Sequence, residues 1–266
     1  MNDTHPALNA KDPPNGLFGR LFGHFQLWRG AVPIQDAVWP RPAVRKLCAY
    51  FVMHAGESLI RDRIIDDLWP GSDPDAARGS LKTVLSLMRK IIDRDMPTPE
   101  GYLEVSGETY MLCGADSDVA VFERLIRVAL TTYTGLDAPP VSDELLTALE
   151  RYGPLLPEYA REPWVIETGE RLRDEYLRGC IYVAEARLDI GQTTDAERWA
   201  TRAVETAVWS EDAYQIIMRA QARRGETELA LHTAQACQKA LERELRVQLS
   251  PLTLWLIERL RAGEAI

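Results

Sequence analysis

The sequence predicts an α+β domain followed by an all-α domain. Three observations lead to this division. A proline-glycine turn joins two short amphipathic segments near residue 70, an alternating pattern follows near residue 105, and identical residues recur 34 positions apart after residue 185. The first two patterns are typical of a helix-turn-helix and a β-hairpin, whereas a 34-residue period is typical of stacked helix pairs.

Short strands are predicted at the start of the first domain. Residues 1–16 are polar and rich in proline, and we expect this tail to be disordered. From Leu17 to Trp28, apolar residues alternate with glycine and polar groups. The segment 29–38 predicts turns between further short strands. We therefore expect a small antiparallel sheet here.

A first helix is predicted from Pro42 to about His54. Proline suits the first turn of a helix because it has no amide hydrogen to satisfy there. Apolar residues recur at helical spacing along this segment, and Gly56 is placed to end it.

Two further helices with a tight turn between them are predicted over Arg61 to Ile92. Trp-Pro-Gly at 69–71 stops the first of them, because proline can neither donate its backbone hydrogen bond nor fit a preceding helical turn. Ser72 and Asp73 can each accept a hydrogen bond from the free amides of a new helix, and Pro74 suits its first position.

The second helix of this pair carries an apolar stripe and an opposite polar face. The polar face, called the recognition face below, has small or hydrogen-bonding side chains in its middle and cations at its margins. Its members are Arg78, Gly79, Lys82, Thr83, Ser86, Arg89 and Lys90. A helix in the major groove of DNA reads base edges with such groups and holds phosphates with flanking cations. An ordinary solvated face gives the same pattern, so the helix alone leaves both interpretations open.

A hairpin is predicted next, with alternating strands at 102–105 and 108–112 and a Ser-Gly turn between them. Strands, three helices and a closing hairpin predict a winged helix-turn-helix over residues 17–115. This domain resembles the OmpR-like type, which implies binding to double-stranded DNA. The residues that carry the resemblance are Leu-Phe-Gly-x-Phe-x-Leu at 21–27, Leu68-Trp69, Leu81, Met88-Arg89-Lys90 and Tyr110-x-Leu112.

An internal repeat predicts a tetratricopeptide-like helical array in the second domain, residues 116–266. In such arrays small residues allow close helix contact and glycine makes the turn within each helix pair. A plain helical bundle with chance alanine matches is the alternative. The identical pairs are Ala186 and Ala220, Gly191 and Gly225, Thr193 and Thr227, Ala196 and Ala230, and Ala200 and Ala234.

Several motifs of the second domain resemble the bacterial transcriptional activator domain of the SARP family of antibiotic regulators. The resemblance implies an activator that binds promoter DNA and that contacts RNA polymerase or forms a homodimer through its helical domain. The motifs are Tyr-Gly-Pro-Leu-Leu-Pro at 152–157, Trp164, Glu-Arg-Leu-Arg-x-x-Tyr-Leu at 170–177, Leu-Glu-x-Glu-Leu at 241–245 and Ser-Pro-x-Thr at 250–253.

Charge is unevenly distributed along the 266 residues, whose formal net charge is -9. Residues 17–115 have 12 Lys+Arg and 12 Asp+Glu, whereas residues 116–266 have 18 against 26, a net of -8. A neutral first domain can bind DNA if its cations cluster on one face, but it lacks a strongly basic signature. No apolar run approaches the ~20 residues of a membrane span and the start does not resemble a signal peptide, so we expect a cytoplasmic protein with no membrane partner.

Catalytic motifs are absent from the sequence. It has no Gly-rich phosphate loop, no HExxH, no GxSxG and no candidate catalytic triad. The 4 histidines are scattered, and the 4 cysteines form no CxxC pair and are interpreted as small buried hydrophobes. We therefore predict neither enzyme activity nor a metal or cofactor site.

Two departures from the family pattern keep a second hypothesis open. Leu87 stands where related recognition helices usually have arginine, and Ile60 stands where a serine usually caps the preceding helix. A lost cation and a lost cap would both weaken a DNA reader, the cap by ~1 kcal/mol. The alternative function is a protein-interaction scaffold whose winged helix no longer binds DNA.

Overall fold

The computed structural model describes residues 16–94, 101–132, 141–264 and 266. These residues form two compact units. The first contains the described residues up to Arg124 together with Arg151–Glu170, and the second contains Leu125–Glu150 and Arg171–Ile266. The predicted disordered tail at 1–16 lies outside the described residues except for its last position.

Seven strands form two small sheets in the first unit. One sheet has the order β3-β2-β1-β7 and the other has the order β4-β6-β5. The strands are β1 (Leu17–Arg20), β2 (Gln26–Arg29), β3 (Val32–Ile34), β4 (Leu59–Ile60), β5 (Leu103–Ser106), β6 (Thr109–Leu112) and β7 (Ala115–Ser117).

Ten α-helices are described along the same ranges of the chain. They are α1 (Pro42–Met53), α2 (Arg61–Leu68), α3 (Pro74–Ile92), α4 (Asp118–Thr132), α5 (Asp143–Arg151), α6 (Pro163–Asp189), α7 (Thr193–Thr206), α8 (Glu211–Arg223), α9 (Thr227–Glu244) and α10 (Pro251–Ala262). Sheets with three helices followed by a helical array confirm the predicted fold class.

The first sheet differs from its prediction in two respects. β1, β2 and β3 pair antiparallel as expected, but β7 adds a parallel strand to β1 and makes the sheet mixed. Asp36–Val38 forms a short 3-10 helix where turns between strands were expected. The parallel strand joins residues about a hundred positions apart, which no local pattern indicates.

Apolar stripes on the three helices α1, α2 and α3 contribute to the core of the first unit, together with buried strand residues such as Leu17 and Leu27. Leu81, Leu85, Met88 and Ile92 are all buried, as their spacing along α3 predicted. Because burying one such side chain contributes about 1.5 to 3 kcal/mol, this stripe fixes which face of α3 points inward. The recognition face is thereby left on the solvent side.

Residues 151–170 fold with the first unit, although they carry motifs that the sequence placed in the second domain. Leu156 donates its amide to the carbonyl of Leu21 at 2.9 Å, and Gly23 donates to the carbonyl of Pro154 at 2.7 Å. The ring of Trp164 packs edge-on against that of Tyr50, with 5.3 Å between their centres. The domain limits drawn from the sequence, 17–115 and 116–266, stay a prediction.

The turns that join α6 to α7 and α8 to α9, both in the second unit, repeat the same conformation. Gly191 and Gly225, 34 residues apart, have φ of 76° and 79°, a left-handed conformation that glycine adopts without strain. The amide of Gly191 donates to the carbonyl of Leu188 at 3.0 Å, and that of Gly225 donates to the carbonyl of Ala222 at 2.9 Å. These matching turns confirm the tetratricopeptide-like prediction over the plain bundle.

Close helix contact in the array depends on buried alanines. Ala196 of α7 and Ala230 of α9 are fully buried. Replacing either with leucine should lower the free energy of unfolding by about 1 to 3 kcal/mol, because the added carbons overpack the contact. Ala236, exposed on α9, provides the control, since its replacement with leucine should change stability little. Equal denaturation midpoints for Ala230→Leu and Ala236→Leu would contradict this account.

Three further features of the described residues concern membrane spans, metal binding and the state of the cysteines. No helix in the described ranges has the length and apolar character needed to cross a membrane. Within these ranges no cluster of side chains is suited to hold a metal ion. All 4 cysteines are free thiols, and Cys48, Cys180 and Cys237 are buried.

Candidate nucleic-acid interface

The turn between α2 and α3 forms as the sequence predicted. Gly71 adopts φ of 71°, and the side chain of Asp73 accepts a hydrogen bond from the amide of Ala76 at 3.0 Å. Pro74 occupies the first turn of the helix. These local interactions place the first residues of α3 at the solvent-exposed end of the turn.

A backbone hydrogen bond satisfies one free amide at the start of α2, where no side chain caps the helix. Ile60 makes no side-chain capping hydrogen bond. Instead the amide of Arg61 donates to the carbonyl of Glu108 at 2.8 Å, because β4 pairs with β6 immediately before the helix begins. The predicted loss of a cap is therefore offset in part by the hairpin.

The β5–β6 hairpin, called the wing below, is fastened to the end of α3. Asp93 accepts a hydrogen bond from the amide of Tyr102 at 2.8 Å, and Arg89 donates to the carbonyl of Leu103 at 2.6 Å. Gly101 has φ of 66°, and a Cβ there would lie 2.6 Å from a carboxylate oxygen of Asp93. Only glycine allows this close approach, which holds the wing beside the helix.

A groove of about 670 Å³ lies between α3 and the wing and is called the wing groove below. Five members of the recognition face line it, namely Arg78, Lys82, Ser86, Arg89 and Lys90. Leu103, Val105 and Tyr110 line it from the wing side. The structure therefore brings cations, a hydroxyl group and the apolar and aromatic groups of the wing to one open surface.

The other members of the recognition face lie outside the groove. Gly79 and Thr83 are exposed on α3 but do not line it. The hydroxyl of Thr83 donates to the carbonyl of Gly79 at 2.9 Å, which occupies its donor within the helix. Leu87 is half-buried and also lies outside the lining.

Arg61 is a lining residue that the sequence reasoning missed. It opens α2 and donates to the side chain of Glu108, at the tip of the wing, at 2.6 Å. The available signal was a cation at the first position of the helix that precedes the turn. That signal is ambiguous, because whether such a cation reaches the groove depends on where the wing folds back.

The cations of the wing groove differ in their partners. Arg78 forms an ion pair with Asp75 at 3.1 Å, and Arg61 pairs with Glu108. Within the described parts of the chain, Lys82 and Lys90 make no ion pair and are exposed. Two ammonium groups without an ion pair, more than two turns apart on the exposed face of α3, can bind an anionic polymer without first breaking an internal pair.

Comparisons with known proteins support a regulatory family. Residues 117–261 match the family model described as the bacterial transcriptional activator domain. Among solved structures, Mycobacterium tuberculosis EmbR in complex with a low-affinity phosphopeptide is similar, with a TM-score of 0.78 and 20% sequence identity. The match covers 94% of this chain and 66% of that EmbR chain, slightly less than two thirds. No curated protein matches the sequence.

Proposed function

The chain belongs to the family of transcriptional regulators that carry a bacterial transcriptional activator domain, and we propose that it binds double-stranded promoter DNA through the wing groove. The family match agrees with the resemblance to SARP-type activators that the sequence motifs implied. In this proposal the recognition helix α3 enters the major groove and the wing contacts the adjoining backbone.

The proposal rests on two lysines of α3 that form no ion pair with the described residues. Lys82 and Lys90 are exposed on the face of α3 opposite its buried apolar stripe. Ser86 lies between them on the helix and also lines the wing groove. Phosphate contacts by lysine supply sequence-independent affinity, whereas groups in the middle of the helix discriminate base edges. We assign Ser86 and Lys82 to base contacts and Lys90 to phosphate.

The helical second unit is proposed to contact RNA polymerase or a second copy of the chain. Helical repeat arrays bury their own core and leave an extended surface for protein partners. Activation belongs to the same proposal because the sequence motifs resemble those of SARP-type activators, and a cytoplasmic location belongs to it because the site of action is the promoter. No catalytic step forms part of it.

Fluorescence anisotropy across a salt series tests DNA binding. The duplexes are a promoter site found by chromatin immunoprecipitation with sequencing and a scrambled version of it. Lys90→Gln should weaken binding to both duplexes alike and reduce the salt slope by about one unit, because one phosphate contact is lost. Lys82→Gln or Ser86→Ala should instead reduce the preference for the promoter duplex, by about 1 to 3 kcal/mol for each lost base contact.

Arg89 is a poorer probe of phosphate contact than Lys90. Its guanidinium donates to the carbonyl of Leu103, so its removal would also loosen the wing. If the wild-type protein binds neither duplex in a salt-sensitive way while still capturing protein partners, the DNA proposal fails. The scaffold hypothesis, favoured by the half-buried Leu87 in place of a cation, would then replace it.

Glu108 is expected to restrain Arg61 in the absence of DNA. Its carboxylate is the nearer of the two that pair with the Arg61 guanidinium, at 2.6 Å against 3.8 Å for Asp62, so Glu108→Gln should release most of the restraint on this cation at the edge of the groove. We expect tighter binding to both duplexes and a salt slope steeper by about one unit. Glu104→Gln is the control, because Glu104 is exposed on the same hairpin and is not a lining residue of the groove. A response shared by both variants would reflect net charge alone and would refute this role of Glu108.

A further inference from the structure

Two members of the recognition face, Gly79 and Thr83, line no part of the wing groove and do not take part in the contacts proposed for Lys82, Ser86 and Lys90. At about 100° per residue, both lie within ~40° of the line on α3 that is directly opposite the centre of its buried residues. When a helix with such a face enters the major groove, this outermost line comes nearest to the base edges. Gly79 and Thr83 are therefore placed to contact bases.

Gly79 is a glycine that the fold itself does not require. It lies inside α3, where glycine is less favourable than any residue except proline. Its backbone is not left-handed, and a Cβ built there would meet nothing within 4 Å among the described residues. A Cβ at Gly179 of α6, in contrast, would lie 2.4 Å from a side-chain carbon of Ile126. The open space over Gly79 is thus available to a ligand that approaches the helix closely.

The surface around this space is apolar in what it can offer. The hydroxyl of Thr83 donates to the carbonyl of Gly79 at 2.9 Å, so its proton is not available to a base. The backbone amides of both residues lie in the interior of α3, where the hydrogen bonds of the helix use them. Because residues four apart are neighbours on a helix, the methyl group of Thr83 adjoins the space over Gly79. Between them, these two residues provide room and apolar carbon but no free hydrogen-bond donor.

Thymine is the base that such a surface selects. In the major groove the edges of adenine, guanine and cytosine present donors and acceptors, whereas thymine adds an apolar C5 methyl group. The methyl group of threonine is among the groups that contact the thymine methyl in protein–DNA complexes. A phosphate, which needs a cation or a free donor, gains nothing at this position.

We infer that Gly79 and Thr83 make the protein specific for a thymine, whose methyl group occupies the space over Gly79 and contacts the methyl group of Thr83. This inference rests on the proposed binding of promoter DNA by α3. It adds the identity of one base to a site in which Lys82 and Ser86 contact others.

Replacement of each thymine of the promoter duplex in turn by deoxyuridine tests the inference, because the two bases differ only in that methyl group. Binding of the full-length wild-type protein is measured by fluorescence anisotropy. We expect at least one position at which deoxyuridine weakens binding about fourfold, the loss that follows from exposing one buried methyl group.

Two variants should change the response at that position in different ways. Thr83→Ser keeps the hydroxyl and removes only the methyl group, so it should bind the thymine and deoxyuridine duplexes equally. Gly79→Ala fills the space, so it should bind the thymine duplex about tenfold more weakly than wild type and the deoxyuridine duplex at least as well as the thymine duplex. A general loss of stability would not reverse the base preference in this way.

Gly169→Ala is the matched control. Gly169 lies inside α6, a Cβ there would also meet nothing within 4 Å, and it lines no part of the wing groove. Both alanine variants should raise the midpoint of thermal unfolding by about 2 to 4 °C, because alanine favours a helix more than glycine does. Only Gly79→Ala should lose affinity for the promoter duplex.

Three results would overturn the role of Gly79 and Thr83 while leaving DNA binding in place. They are salt-sensitive binding by the wild type that responds to deoxyuridine at no position, equal DNA affinities of Gly79→Ala and Gly169→Ala, and a Gly79→Ala variant that keeps the preference for thymine. A wild-type protein without salt-sensitive binding to the promoter duplex would overturn both proposals.

Discussion

Asp118→Ala should lower the free energy of unfolding by about 2 to 4 kcal/mol, because it leaves several backbone amides without an acceptor. The carboxylate of Asp118 accepts hydrogen bonds from the amides of Leu21 at 2.7 Å, Phe22 at 3.1 Å and Val119 at 3.0 Å. Leu21 and Phe22 are buried, so water replaces these bonds poorly. The loss is measured by urea denaturation of the full chain.

Asp118→Asn should cost less than Asp118→Ala but remain destabilising. Its single carbonyl oxygen can accept from two of the amides, while its NH₂ group faces the third. Asp116→Ala is the control, since Asp116 forms a more exposed ion pair with Arg124 at 3.4 Å and such pairs contribute about 1 kcal/mol or less. If Asp118→Ala and Asp116→Ala unfold at the same urea concentration, Asp118 does not anchor the end of β1.

The elements predicted best are those fixed by short-range chemistry. The turn after Trp69, the wing with its Gly107 tip and the glycines of the 34-residue repeat each depend on residues that are neighbours in sequence. Gly107 adopts φ of 60° at the first position of a two-residue hairpin turn, which glycine favours. Local patterns of this kind can be recognised in the sequence because a few neighbouring residues determine the conformation.

The contacts that complete the first unit could not be predicted in this way. Asp118 bonds Leu21 across 97 positions, and Glu158 bonds Phe25 across 133. A single acidic residue that accepts hydrogen bonds from distant amides leaves no periodic pattern in the sequence. Its partners depend on how distant segments of the chain pack together, and not on sequence spacing. The motif at 152–157 indicated a family but not the unit with which the segment folds.

The residues of the candidate site also divide into those that local sequence patterns predict and those that depend on distant contacts. Helical periodicity indicated which residues share the outer face of α3, and the structure places five of those seven on the wing groove. Helical periodicity could not separate Gly79 and Thr83 from the other five residues, since the lining of the groove depends on which side of the helix the wing occupies. Arg61 enters the site through the pairing of β4 with β6, a contact between residues about fifty positions apart.

Glu158→Ala is expected to have the other large effect on stability. Its carboxylate accepts from the amide of Phe25 at 2.8 Å and from the guanidinium of Arg45 at 2.9 Å, and the same guanidinium donates to the carbonyl of Phe25 at 2.5 Å. The side chains of Glu158 and Arg45 are only 17% and 20% exposed. Removing one partner leaves a mostly buried cation and an unpaired amide, at a cost of about 2 to 4 kcal/mol.

A double-mutant cycle isolates the ion pair from the rest of this loss. Arg45→Ala alone should also destabilise, and the double variant should lose less than the sum of the two single losses because the Glu158–Arg45 contact is counted in both of them. Glu167→Ala, an exposed glutamate of α6, should leave the unfolding midpoint nearly unchanged. Since Glu158 holds β2 and α1 of the unit that carries the recognition face, its loss should also weaken promoter binding near the unfolding midpoint. Additive losses in the cycle would mean that segment 151–170 does not stabilise this unit through Arg45.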